Sequence, residues 1–340
     1  MVRSNSKRRA FAGTLALAAL SALVVVGGGA PPADAQETFV MKVATVAPDG
    51  TPWEKQLRKF KKRIEKRTDG RVRVKMFMGG SLGGEKALVR RTAQGSIQVF
   101  GGSTAALGSL VPELNVIESP FLFDSTSDAD RKLDGAAKKT VAKLVAKHGF
   151  QFGFWAENGF RSWYTKSQPI RKPSDLEGLR MRSQEALVHL ESYRAFGASP
   201  VPIDVTNVLT SLQTGVVDGF DNTPLFTFAT SWYQAAKHLF LDQHSYQPGI
   251  IVYSKKWFEG LPEDIQKELT NVPQEMVQEG RDAVRRMDPI LLRNLKRYGI
   301  KVHEPSAKEL EPFKAKSKGV PDKVAAKTGA SAKKLLRQLR

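Results

Sequence analysis

Residues 40–76 read VMKVATVAPDGTPWEKQLRKFKKRIEKRTDGRVRVKM, and three patterns succeed one another within them. Val40, Lys42, Ala44 and Val46 alternate with Met41, Val43 and Thr45, the period of a short apolar strand. Thr51-Pro52-Trp53-Glu54 then opens a helix. Thr51 supplies a cap, Pro52 suits the first helical position, and Glu54 stands at capping-box spacing. Trp53, Leu57, Phe60 and Ile64 recur at helical spacing among lysines and arginines, so one face is buried. Asp69-Gly70 turns the chain into Val72, Val74 and Met76, a second period-two strand. Strand, helix and strand in this order imply parallel pairing with the helix lying across the sheet.

The same alternation continues downstream. It predicts a helix over 85–94, a strand over 97–100, a helix over 128–148 and a strand over 150–156. The pattern restarts after Asn158, with strands near 179–182, 216–219 and 249–254 and helices near 185–196 and 205–214. From Pro262 to Arg297 runs one long helical pattern carrying Ile265, Leu269, Met276, Val284, Leu291 and Leu295. Unbroken, it would span roughly 50 Å at about 1.5 Å per residue, a length that only a large surface or two domains can use. The expected fold class is therefore α/β, two lobes with a long bracing helix.

The first residues read as an export address. Arg3, Lys7, Arg8 and Arg9 precede an apolar run over 11–26, and Ala33-Asp34-Ala35 offers a small-residue cleavage site. That is the order of a secretory signal over residues 1–35, cut after Ala35, with a partial twin-arginine resemblance at Arg8-Arg9. An exported, periplasmic chain is expected. Its 340 residues are 41% hydrophobic, enough for packed cores, and contain no cysteine, which removes disulfides, thiolate metal sites and cysteine nucleophiles together. The formal charge is +19, and residues 305–340 carry ten Lys/Arg against Glu309, Glu311 and Asp322. Export takes nucleic acid off the list of partners. A solvated basic surface, or a weak contact of the basic C-terminal tail with anionic membrane, remains.

Familiar catalytic patterns are missing. Gly79-Gly80-Ser81-Leu82-Gly83-Gly84-Glu85-Lys86 fails as a phosphate loop because Glu85 stands where that motif needs lysine. His148, His189, His238, His244 and His303 show no metal-binding spacing, and no G-x-S-x-G turn frames Ser183. The chain reads as no enzyme, with no cofactor and no metal. What stands out is a pair of arginines among apolar residues. Arg161 lies in Gly159-Phe160-Arg161-Ser162-Trp163, and Arg182 ends Leu179-Arg180-Met181-Arg182. A guanidinium at a strand end either grips a carboxylate at a cleft mouth or forms a surface salt bridge.

Eight phrases in order resemble the extracytoplasmic solute-binding proteins of tripartite ATP-independent periplasmic (TRAP) transporters, the DctP-like, dicarboxylate-type family. They are Ala47-Pro48-Asp49-Gly50-Thr51-Pro52-Trp53, Gly80-Ser81-Leu82-Gly83-Gly84-Glu85, Ser119-Pro120-Phe121-Leu122-Phe123 and Gly159-Phe160-Arg161. Asp175-Leu176-Glu177-Gly178-Leu179-Arg180-Met181-Arg182, Gly197-Ala198-Ser199-Pro200-Val201-Pro202, Leu212-Gln213-Thr214-Gly215-Val216-Val217-Asp218-Gly219 and Leu261-Pro262-Glu263-Asp264 complete the series.

The resemblance implies two periplasmic-binding-protein-like lobes, with 36–158 plus about 247–286 in the first and 159–246 plus about 287–340 in the second. It implies capture of a small organic acid between them and delivery to a membrane permease. Arg182 takes the role of the selectivity arginine that binds the ligand carboxylate, and Arg161 that of a second arginine at the same group. Asn222 falls where the family carries a ligand-contacting asparagine, while Asp49 and Trp53 belong to the loop lining the opposite wall. Phe160 and Trp163 flank Arg161 as further candidates. Asn207-Val208-Leu209 and Asp218-Gly219-Phe220-Asp221-Asn222-Thr223-Pro224 depart from the usual pattern. With Leu209, Phe220 and Phe226 near the cleft, the expected ligand is an acid with an apolar body. The alternative is a carrier of hydrophobic or lipid-like ligands on the same fold.

Overall fold

The computed structural model describes residues 37–340; the export signal expected over residues 1–35 lies outside the described residues. Nine strands form one sheet: β1 (Phe39–Thr45), β2 (Val72–Phe77), β3 (Val99–Ser103), β4 (Phe150–Thr165), β5 (Arg180–Ser183), β6 (Ser199–Pro202), β7 (Gly219–Asn222), β8 (His238–Ser254) and β9 (Lys301–His303). Their order is β2-β1-β3-β8-β4-β7-β5-β6, with β9 paired to β8. Pairing is parallel within β2-β1-β3 and within β7-β5-β6, as strand–helix alternation requires. The centre differs. β4 and β8 are antiparallel to each other, β8 to β3 and β4 to β7, so these two long strands join the two parallel halves.

The expected restart after Asn158 is thus a strand that continues. β4 passes through Asn158 with a register shift between Glu157 and Gly159, where Gly159 takes φ +100°. Gly is the residue that adopts this conformation without strain. Arg161, expected just beyond a strand, sits inside one. β6 carries Pro200 and Pro202 and lies at the sheet edge, where a missing N–H is tolerated.

The opening helix forms as its sequence dictates, over Pro52–Arg67, with the Thr51 hydroxyl accepting from the Glu54 N–H. The Glu54 carboxylate reaches back to the Gly50 N–H at 2.6 Å, one residue beyond the ordinary capping-box partner. Trp53, Leu57, Phe60 and Ile64 are all buried. The expected helix over 128–148 is two, Thr126–Asp134 and Ala136–Lys147, parted at Gly135. A side chain on Gly135 would stand 2.8 Å from the Arg131 carbonyl oxygen.

The bracing segment over 262–297 is helical but bent, as Glu263–Thr270, Gln274–Arg285 and Asp288–Arg297. Pro273 and Pro289 lack the N–H that a continuous helix needs, and the breaks fall beside them. Arg285 ties this segment to the sheet. It donates to both oxygens of Asp130, at 2.7 and 2.8 Å, and to Glu157 on β4.

Successive side chains of β4 serve opposite cores. Trp163 packs with Met181, Tyr193 and Phe196, while Tyr164 packs with Leu212, Phe220 and Trp232. A larger core in the first half gathers Met41, Phe60, Phe100, Val141, Phe150 and Ile251. The tail is part of the fold. Val324, Leu335 and Leu336 are buried in the first-half core beside Leu114 and Val116. Among the described residues no helix is long and apolar enough to cross a membrane.

Candidate functional site

A cavity of about 40 Å³ opens where the two parallel halves face each other. One wall comes from the first half: Thr45 to Ala47 at the C-terminal end of β1, Gly102 on β3, and Trp53 and Glu85 in the first turns of their helices. The other comes from β4, β5 and β7, which present Arg161, Arg182 and Asn222. Asn158, Gln184, Val205, Phe226 and Gln247 complete the lining. Clefts at the C-terminal ends of parallel strands are the usual ligand sites of such sheets.

The two arginines are held differently. Arg161 is neutralised inside the protein: its Nε donates to Asp221 at 2.7 Å and its Nη2 to the Asp221 carbonyl at 2.8 Å. Asp221 also faces the Tyr193 hydroxyl and His244 Nε2, and His244 Nδ1 faces Asp242 at 3.1 Å. Burial works against the Asp221 charge, yet Arg161 and His244 outweigh it and hold its pKa well below the usual value. Burial likewise works against charged His244, but Asp242 and Asp221 push its pKa up to about 9.

Arg182 has no such partner. Its Nε and Nη2 donate to one backbone oxygen, that of Ile203, at 3.0 and 2.9 Å, and its guanidinium lies 5.2 Å from the Trp232 ring centroid. No carboxylate among the described residues forms an ion pair with it, although it is only 3% exposed. Burial, with the nearby Arg161 charge, draws its pKa down to about 10, so it stays cationic at neutral pH. A buried cation without a counter-ion is costly unless an anion completes it. Among the described residues its Nη1 has no hydrogen-bond partner, and neither has the Asn222 Nδ2, whose Oδ1 accepts from the Thr223 N–H. Two donors are thus free at one cavity.

Glu85 stands on the other wall. It accepts from the Ser103 N–H at 2.8 Å, the Ser103 hydroxyl at 3.1 Å and Gln184 Nε2 at 2.9 Å. Burial raises its pKa, with the Glu118 charge adding to the effect and the Ser103 bonds opposing it. Gln184 joins the halves, since its Oε1 accepts from Gln247, which in turn donates to Glu118. Trp53 is fixed by an Nε1 bond to the Glu157 carbonyl at 2.8 Å.

Of the residues expected at the site, Arg182, Arg161, Asn222 and Trp53 meet on the cavity. Trp163 and Phe220 are fully buried in the two second-half cores, Trp163 stacked on His244 and Phe220 on Tyr164. Leu209 packs on the same core as Phe220, Phe160 packs on Tyr246, and Asp49 is exposed. Glu85, Gln184, Gln247 and Asn158 line the cavity without having been singled out. For Glu85 the signal was present, a carboxylate at the first turn of a helix after a glycine-rich loop.

Residues 43–328 match the family described as bacterial extracellular solute-binding protein, family 7 (DctP). A sugar-acid-binding protein of Advenella mimigardefordensis, solved with galactonate, is 30% identical, with 89% of this chain and 98% of that one covered at a TM-score of 0.84. A TRAP periplasmic solute-binding protein of a Polaromonas species, bound to D-erythronate, is 28% identical, with 88% and 98% covered at a TM-score of 0.82. A solute-binding protein of Verminephrobacter eiseniae is 35% identical over 60% of this chain; that match spans 61% of the relative's length. The two-lobed fold, the periplasmic setting and the non-catalytic, carboxylate-binding character go with this likeness. The chain belongs to the DctP-like family of extracytoplasmic solute-binding proteins of TRAP transporters.

Proposed function

We propose that the chain captures a short, hydroxylated carboxylic acid between its lobes and delivers it to an ion-driven membrane permease. The carrying observation is Arg182, a buried guanidinium whose one hydrogen-bond acceptor among the described residues is the Ile203 carbonyl, with Nη1 and the Asn222 amide beside one cavity. A planar fork of this kind pairs with a carboxylate bidentately. The opposite wall supplies acceptors, Glu85 foremost, for hydroxyl groups on the same molecule. Of the three residues on which an apolar ligand body rested, Leu209 and Phe220 are packed into a core, while Phe226 lines the cavity. The cavity is too small for a lipid chain, which favours a short acid. The relatives' galactonate and D-erythronate are acids of this kind. The lobes are those assigned above from sequence, with the terminal helices reaching across to the first-half core.

A thermal-shift screen of residues 36–340 tests this, with aldonic and uronic acids, small dicarboxylates, and aromatic and fatty acids. A ligand at a hundred times its dissociation constant stabilises by about 2.7 kcal/mol. A hydroxylated acid should give the largest shift, and Arg182→Ala should weaken its binding at least tenfold, about 1.4 kcal/mol. Tightest binding of a fatty or aromatic acid, or wild-type affinity in Arg182→Ala, would refute the reading.

A further inference from the structure

Helix Ala136–Lys147 and the C-terminal helix Ala330–Leu339 pack against each other, and no residue of either lines the arginine cavity. The first carries Lys138, Lys139, Lys143 and Lys147, the second Lys333, Lys334 and Arg337, and neither carries a carboxylate. All seven cations are exposed, and among the described residues none enters an ion pair. Their helices are anchored by the opposite faces. Ala137, Val141, Leu144 and Val145 are buried on one, and Ala332, Leu335, Leu336 and Leu339 on the other. The basic residues therefore form a fixed surface on folded helices. Asp134, the nearest acid along the chain, is already engaged by Arg281 at 2.6 Å.

Between the two helices runs a groove of about 700 Å³. Lys139, Lys143, Lys147 and Lys334 edge it, and the Thr140 and Ser331 hydroxyls lie in it. Ammonium and hydroxyl groups are the donors that phosphate oxygens accept from. A protein partner would call for an apolar or aromatic centre to the patch. The exposed large hydrophobics of this chain, Val40, Val216, Ile290 and Tyr298, all lie elsewhere in the sequence.

We propose that this two-helix face is a docking surface for anionic phospholipid, its groove receiving phosphodiester headgroups. It holds the protein at the membrane that contains its permease. The attraction is electrostatic, scales with the number of cations brought to the surface and is screened by salt. The proposal involves no residue of the arginine site, so it stands or falls separately from the ligand reading.

Residues 36–340 are sedimented with vesicles of phosphatidylcholine alone or mixed with phosphatidylglycerol, at low salt. Binding is expected only to the mixed vesicles. Each basic residue at such a surface contributes roughly fivefold. Lys139→Gln/Lys143→Gln/Lys334→Gln should therefore bind at least tenfold more weakly, while arginine at the same three positions retains binding. Lys62→Gln/Lys66→Gln/Lys75→Gln removes equal charge from another exposed region and should bind like wild type. Matched melting temperatures show that all variants are folded. Equal losses in both glutamine triples, or binding to phosphatidylcholine alone, would overturn the proposal. So would release by inorganic phosphate beyond that caused by chloride at equal ionic strength, which would mark a free-phosphate site.

Discussion

Glu85 and Arg182 face one cavity with opposite chemistry, one accepting and the other donating. A hydrogen bond from a ligand hydroxyl to the Glu85 carboxyl is worth about 1.5 kcal/mol. Glu85→Gln should then cut affinity for a hydroxylated acid by at least tenfold and leave its deoxy analogue nearly unchanged. Isothermal titration of such a pair decides it, and equal losses for both would mean that Glu85 only supports Ser103 and Gln184. Below Arg161, the buried pairing of His244 with Asp221 and Asp242 has a pH signature. The folded pKa of about 9 lies above the unfolded value of 6.5, so the charged imidazole stabilises fully below pH 6.5. That contribution, about 3 kcal/mol in all, is lost as pH climbs from 6.5 through 9. Urea unfolding across this range should show the decline in the wild type. In His244→Gln the slope should flatten, and stability should be lower at pH 6.

At the scale of elements, β8 positions the cavity's aromatic wall. Gly249 pairs with Ser103 on β3 and Ala156 on β4, and a Cβ there would stand 2.4 Å from Trp53 Cζ2. Trp53 cannot retreat without giving up its bond to Glu157. Gly249→Ala should therefore destabilise the fold by about 1–3 kcal/mol and weaken ligand binding as the indole shifts. Chemical denaturation with parallel titration checks both, and an unchanged midpoint would show that the indole has room to move. This strand also marks the limit of what the sequence discloses. The strand–helix alternation of the outer elements is local, and the strand and helix at 40–64 were legible to within a residue or two. The antiparallel β4–β8 pair joins residues about ninety positions apart, and no local pattern announces that β4 carries on past Asn158. At the site, Arg161 and Arg182 were legible as guanidiniums among apolar neighbours. Gln184 and Gln247 were not, because an amide's role depends on what the fold brings opposite it, here Glu85 and Glu118. Phe220 and Leu209 misled for the same reason: alternation along a strand or helix says that a residue is buried, not which cavity or core its face borders.

Across the whole molecule, the two walls touch along a seam beside the cavity, and that seam is where a ligand gains leverage. Gln184 reaches Glu85, Lys86 lies 3.7 Å from Glu185, and Gly84 sits under Asp204. Asp204 is fixed by accepting from the N–H and hydroxyl of Thr206. A Cβ on Gly84 would fall 1.8 Å from Asp204 Oδ2, inside any tolerable contact. Gly84 has φ −72° and ψ 169°, so alanine is compatible with its backbone and the clash arises only across the interface. Gly84→Ala therefore opposes the close approach of the two walls at this seam. A ligand stabilises closure only by contacts that are better in the closed form, and overpacking of about 1–3 kcal/mol opposes it directly. Affinity should fall at least fivefold, while the melting temperature without ligand stays within about 2 °C of wild type. Small-angle scattering at saturating ligand should show the variant more expanded than the wild type. Wild-type affinity with a compact profile would mean that Asp204 gives way, and that closure is not limited at this seam.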